Sequence, residues 1–300
     1  MRDVDLDAVR DVRAHRPHEI AGAAERRRRR PLLCDDGRLM LLAADHPARG
    51  ALGVAERAAA MADRGELLRR LVAALGRPGV DGVLGTADVL EDLLLLGALE
   101  DKVVIGSMNR GGLQGASFEL DDRFTGYDAA TIAEMGYDGG KMLCRIDLDD
   151  HGTVATLEAC ARAVTELARH GCMAMIEPFM SERTDGRVRN DLSADAVIRS
   201  VAIASGLGAT SSYSWMKLPV VADMERVVAA TTLPTLLLGG DPSGSPDETY
   251  AGWDKALRLP GVRGLVVGRT LLYPPDDDVE AAVDMAASLV RGVQGSGAPP

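Results

Sequence analysis

The stretch LMLLAADHPARG, residues 39–50, decides between two α/β architectures. A short, continuous apolar run of this kind is a strand buried on both faces, and doubly wound sheets and closed parallel barrels both begin that way. They part at the turn that follows. A doubly wound sheet usually carries a Gly-rich GxGxxG phosphate loop after its first strand, whereas here the strand runs into Asp45, His46 and Pro47.

Seven further apolar runs succeed it: VDGVLG (80–85), KVVIGSM (102–108), KMLCRID (141–147), CMAMIEP (172–178), SYSWMK (212–217), PTLLLGG (234–240) and GLVVG (264–268). Helix-like segments follow these strands near residues 53–75, 86–96, 129–135, 152–169, 193–205, 222–230, 249–258 and 279–293. Eight strands each followed by a helix predict an α/β fold, a (β/α)8 TIM barrel with an N-terminal helical extension. Residues 1–37 form the extension, 38–291 the catalytic barrel, and 292–300 (GVQGSGAPP) a Gly/Ser/Pro-rich flexible tail. The run Arg26 to Arg30 reads as the solvated end of a helix halted at Pro31.

Composition removes several function classes. Hydrophobic residues make up 46% of the 300-residue chain but aromatics only 3%, so the core is aliphatic and a base-stacking surface is unsupported. A net charge of −11 argues against a nucleic-acid partner. Cys34, Cys144, Cys160 and Cys172 show no CxxC spacing, so neither a disulfide framework nor a thiol metal site is expected. His46 has no second histidine at ligand spacing, which leaves a metal without support. With no apolar run of roughly 18 residues and a charged N-terminus, no membrane association is expected, and the chain reads as cytoplasmic.

Thirty of the thirty-four basic residues are arginine; the lysines are Lys102, Lys141, Lys217 and Lys255. Arginine stays protonated, while a desolvated lysine can lose its proton and attack a carbonyl. Lys217 lies at a strand end among Trp215, Met216, Leu218 and Pro219, so either a reactive amine or an ordinary lysine just after a strand fits the position. Alternation along KMLCRID puts Lys141, Arg145 and Asp147 on one face, making Lys141 a neighbouring cation if that face points inward. Chemistry in such barrels gathers at the C-terminal strand ends, where Asp45, Asn109, Arg110 and Glu177 also fall. Asp45 suits proton transfer or substrate orientation, Glu177 general acid/base work, and either equally suits a salt bridge across the mouth. GGDPSG (239–244) and VGRT (267–270) end the last two strands. Gly239, Gly240, Gly268 and Arg269 there predict a phosphate site.

These residues resemble the class I (Schiff-base) aldolases of the DhnA/LacD type, over roughly residues 38–274. LLAADHPARG is similar to their first-strand Asp-His-Gly motif, GYDGGKMLCRIDLDD to the fourth strand with its buried lysine, and CMAMIEPF to the fifth-strand acidic position. WMKLPV is similar to the Schiff-base strand, and LLLGGD with VVGRTLLY to the phosphate loops. The resemblance implies that Lys217 forms the imine, Lys141 supports it, Asp45 orients substrate hydroxyls, and Gly240, Gly268 and Arg269 hold phosphate. It departs at Pro47, where a glycine is usual, and at GGDPSG in place of Ser-Gly-Gly. A narrower likeness to an actinobacterial group linked with inositol catabolism implies 2-deoxy-5-keto-gluconate 6-phosphate as a candidate substrate.

The expected function is therefore carbon–carbon cleavage or formation in a phosphorylated ketose or keto-sugar acid. No cofactor is expected, and a homo-oligomer is, because barrels of this kind often assemble. The proton carrier is Glu177, Asp45, Lys141 or a tyrosine such as Tyr213, with Arg145 and Asn109 near the substrate. The alternatives are a phosphate-binding barrel isomerase or synthase without imine chemistry, and a non-catalytic sugar-phosphate binding protein.

Overall fold

The computed structural model describes residues 4–109, 112–240 and 245–292. Two helices, α1 (Leu6–His15) and α2 (Glu19–Arg26), precede β1 (Leu39–Ala43). The chain continues through α3 (Arg64–Leu75), β2 (Gly82–Gly85), α4 (Ala87–Leu95), β3 (Val103–Ser107), α5 (Ala129–Glu134), β4 (Gly139–Ile146), α6 (Gly152–Arg169) and β5 (Met173–Thr184). Then come β6 (Arg187–Asn190), α7 (Ala194–Ser205), β7 (Ser214–Leu218), α8 (Met224–Ala229), β8 (Thr235–Leu238), α9 (Pro246–Leu257), β9 (Val262–Val267), α10 (Arg269–Leu272) and α11 (Val279–Gly292). Among the described residues, eight parallel strands stand in the order β4-β3-β2-β1-β9-β8-β7-β5, and pairing of β5 with β4 closes the ring. The fold is the (β/α)8 barrel that the strand count predicts. Arg110, Asp241 to Gly244 and the tail from 293 lie outside the described residues.

Alternation along each strand divides the apolar residues between two layers. Leu39, Leu41 and Ala43 of β1 point to the axis, where they meet Val103, Ile105, Met173, Met175 and Leu236. Met40 and Leu42 point outward into the larger core shared with Leu67, Leu68 and Leu71 of α3. Leu32 and Leu33, just before β1, pack on the inner cluster and cover its N-terminal end. Among the described residues, this end of the barrel is thereby covered.

Gly264 fixes how closely β9 approaches β1. Its φ is +142°, and a Cβ there would collide with the Leu39 carbonyl. Gly264→Ala is expected to cost about 3 kcal/mol through overpacking plus backbone strain. A lowered midpoint in chemical denaturation checks this; an unchanged midpoint would mean that the strands can part without penalty.

Two local expectations are corrected, and one element is new. The helix expected over 53–75 starts only at Arg64; the preceding chain makes a 3-10 turn, His46–Arg49, and a Val54–Arg57 bridge. The arginine run is not a solvated helix end, because α2 stops at Arg26. Arg27 is buried and donates to the carbonyls of Lys102 and Gly136 (2.8 and 2.7 Å), and Arg30 pairs with Asp81 at 2.5 Å. These arginines seal the closed end of the barrel. Residues 179–190, between the predicted fifth strand and the helix expected at 193–205, form a hairpin: β5 runs on past the barrel and pairs antiparallel with β6.

Candidate active site

The same alternation places the polar groups one step above the inner apolar layers. Asp45 follows Ala43, Glu177 follows Met175, and Lys217 follows Trp215, each two residues along the same face. Lys141, in β4, shares that inward face with Leu143. The side chains of Lys141, Lys217, Glu177 and Asp45 are almost entirely shielded from solvent.

The four make one chain of ion pairs. Lys141 Nζ lies 3.0 Å from Asp45 Oδ2 and 2.7 Å from Glu177 Oε2. Lys217 Nζ lies 3.1 Å from Glu177 Oε1. The two lysines are consequently unequal. Burial works against the Lys141 ammonium, but the two carboxylates outweigh it and hold its pKa above the ordinary lysine value. Lys217 has one directly bonded carboxylate, already shared, and a cation beside it. Burial, with Lys141 adding to it, outweighs Glu177 and Asp45 and lowers the Lys217 pKa.

The carboxylates respond in the opposite sense. Burial pushes Glu177 upward, yet Lys141 and Lys217 bring it down to about 2, and Asp45 is likewise held far below the usual carboxylate range against its burial, chiefly by Lys141. His46, 3.8 Å from Asp45, is pushed down to about 3 by burial, against the pull of Asp45 and with Arg269 adding to it. Its imidazole is neutral at physiological pH, and its enclosed Nδ1 has no hydrogen-bond partner.

These groups floor a cavity of about 440 Å³ at the C-terminal mouth. Gly239, Gly240, Gly268, Arg269 and Thr270 line one side; Arg49, Gln114, Arg189 and Asn190 also reach it. Gly240 has φ +72°, and a Cβ on Gly268 would collide with the Ala43 carbonyl, so both positions need glycine. α10 begins immediately after Gly268, which leaves its first N–H groups without intrahelical acceptors.

Of the residues singled out in the sequence, Lys217, Lys141, Asp45, Glu177, Gly239, Gly240, Gly268 and Arg269 come together around this cavity. Asn109 and Arg145 do not line it. Asn109 exchanges two hydrogen bonds with the Leu143 backbone (2.7 and 2.8 Å), pinning the strand that carries Lys141. Arg145 pairs with buried Glu119 at 2.7 Å, in the loop after β3. Tyr213 precedes β7, at the end of the barrel away from the cavity, and is 43% exposed, so it is not the proton carrier. Sequence reading missed Arg49, Gln114, Arg189 and Asn190. For the last two a signal existed: Asp185-Gly186, with φ 51° and 74°, is the Asp-Gly turn of a two-residue hairpin.

Residues 37–287 match the family described as Cgl0159-like. The crystal structure of Cgl0159 from Corynebacterium glutamicum is 60% identical, with a TM-score of 0.94 over 96% of this chain and 97% of that one. A Schiff-base-forming fructose-1,6-bisphosphate aldolase matches at 20% identity and a TM-score of 0.62, over 90% of this chain and 99% of its own. An archaeal fructose-1,6-bisphosphate aldolase, with its catalytic Lys covalently bound to the carbinolamine intermediate, matches at 18% identity and 0.61, over 92% and 100%. Likeness at these identities is a likeness of fold. No curated protein matches the chain.

Proposed function

We propose that this chain, which belongs to the Cgl0159-like family, is a class I aldolase whose Lys217 forms an imine with a phosphorylated ketose or keto-sugar acid. The observation that carries the reading is the division of labour between two buried lysines. Lys141, held between Asp45 and Glu177, stays charged, and its charge helps keep Lys217 available as the neutral amine. The fold it shares with Schiff-base-forming aldolases supports the reading.

The chemistry follows from the positions. Neutral Lys217 attacks the substrate carbonyl, and a proton moves from nitrogen to oxygen by way of Glu177, 3.1 Å away, giving a carbinolamine. Protonation of its hydroxyl releases water and leaves the iminium. The bond between the two carbons beyond it then breaks, and its electron pair flows to the iminium nitrogen as an enamine forms. A carboxylate, Glu177 with Asp45 orienting the hydroxyl, accepts the hydroxyl proton as the aldehyde leaves. Protonation of the enamine carbon and addition of water return the ketone and the free amine. Phosphate binds at Gly239, Gly240, Gly268 and Arg269, where backbone N–H groups and a cation meet. That grip holds the carbonyl over Lys217.

A panel of fructose 1,6-bisphosphate, tagatose 1,6-bisphosphate, sulfofructose phosphate and 2-deoxy-5-keto-gluconate 6-phosphate, assayed for triose phosphate release with EDTA present, tests the reading. Turnover of at least one is expected. Release only after a divalent metal is restored would contradict the imine route.

A further inference from the structure

The large apolar side chains that this fold leaves in water are concentrated on one part of its surface. Among the described residues seven are exposed, and five of them, Leu113, Phe118, Leu148, Val154 and Leu192, belong to the segments that follow β3, β4 and the β5–β6 hairpin. Phe118 is 59% exposed in a chain with only three phenylalanines. Scattered singly, such residues need no explanation; gathered, they mark a contact surface.

The three segments are held together. Thr156 of α6 donates to the Leu120 carbonyl at 2.8 Å and accepts from the Asp122 N–H at 3.1 Å, and a Cβ on Gly152 would collide with the Asp121 nitrogen. The loop carrying Phe118 therefore lies directly on the first turns of the helix that carries Val154. Leu113 and Phe118 line one cavity of about 340 Å³. Arg183 of the hairpin donates to the Ser117 carbonyl at 3.0 Å and lies 3.7 Å from Asp150, which ties the hairpin to the other two segments.

Charge is divided across the same surface. The turn after β4 is acidic, with Asp147, Asp149 and Asp150 around exposed Leu148, whereas the hairpin on the neighbouring strand carries Arg183, Arg187 and Arg189. Asp149 and Arg187 are both exposed, and among the described residues neither side chain makes an ion pair. A surface with acid and base side by side is complementary to itself, because a two-fold rotation lays the hairpin of each copy on the acidic turn of the other. A partner of one charge sign would be repelled by half of it.

We infer that this rim is the contact surface of a symmetric dimer of the chain, with Leu113, Phe118 and Leu148 buried between the copies and Arg187 of each copy paired with the partner's Asp149. The surface stands whether or not Lys217 forms an imine.

Sedimentation velocity with light scattering on the purified 300-residue protein tests it. The wild-type protein is expected to be a dimer, or a multiple of one, at about 10 μM. Phe118→Ser should weaken self-association at least about tenfold. Arg187→Asp and Asp149→Arg each set like charges against one another at both contacts, and each should weaken association by about the same factor. Mixed in equal amounts, these two variants can form a pair in which opposite charges meet at both contacts, so the mixture should regain wild-type affinity. All three positions are exposed, so the fold of each variant should persist. A monomeric wild-type protein, an assembly that Phe118→Ser leaves intact, or a mixture no more associated than its components would overturn the surface.

Discussion

Lys217→Met is expected to lower turnover by about a thousandfold or more, because no other amine in the cavity is poised to be neutral. The neighbouring Lys141 cannot substitute. Its two carboxylates hold it charged, and a charged amine has no lone pair for attack. Methionine matches the lysine stem in length and leaves Glu177 bonded to Lys141 at 2.7 Å, so the fold should persist. Steady-state kinetics beside calorimetric binding of glucitol 6-phosphate read both halves: activity lost, phosphate binding kept. Loss of binding together with activity would mean that Lys217 serves as a binding cation.

Lys141→Met is expected to have a larger effect on stability and a different one on rate. It removes the cation that Asp45 and Glu177 share, and breaking a buried pair in this way costs about 3–5 kcal/mol. The pH dependence has a definite sign. In the wild-type protein both carboxylates have depressed pKa values, so their contribution is present above the unfolded carboxylate range and fades only as pH falls toward about 2 for Glu177. In the variant Asp45 loses its main counter-charge while its burial remains, which raises its pKa above the unfolded value. A raised carboxylate stabilises at low pH and loses that contribution as pH rises. The stability gap between variant and wild type should therefore be wider at pH 7.5 than at pH 4.5 in denaturant titrations.

The rate responds through Lys217. Lys141 is one of the influences that lower its pKa, so removing it moves the Lys217 pKa up and leaves less neutral amine at neutral pH. Activity depends on the deprotonated form and rises with pH through that pKa. The pH–rate profile of Lys141→Met should shift to the alkaline side, with partial recovery at high pH. An unshifted profile would mean that Lys141 acts only in folding.

The parts of this site that were legible in the sequence are those set by local periodicity. Continuous apolar runs gave the eight barrel strands, strand-end position singled out Glu177 and Lys217, and period-two alternation put Lys141 on one face with Arg145. The partner of Arg145 was not legible. Alternation placed that side chain on the correct face, but Glu119 reaches it from a loop 26 residues earlier, and such a pairing has no local signature. The carboxylates that keep Lys141 charged were hidden for the same reason, since Asp45 and Glu177 converge on it from different strands. The hairpin was different. Its Asp-Gly turn was visible, and it escaped because CMAMIEP alone satisfied the length of a barrel strand, leaving ERTDGRVRN to be read as connection. With it went Arg189 and Asn190, which line the cavity.

Covalent trapping tests the central claim most directly. The protein is reduced with sodium borohydride in the presence of dihydroxyacetone phosphate, the ketone half of the proposed cleavage, and then mapped by peptide mass spectrometry. The account predicts one reduced adduct, on the peptide containing Lys217, absent from Lys141 and absent altogether in Lys217→Met. No adduct in a preparation that is releasing triose phosphate, or an adduct on another lysine, would contradict it.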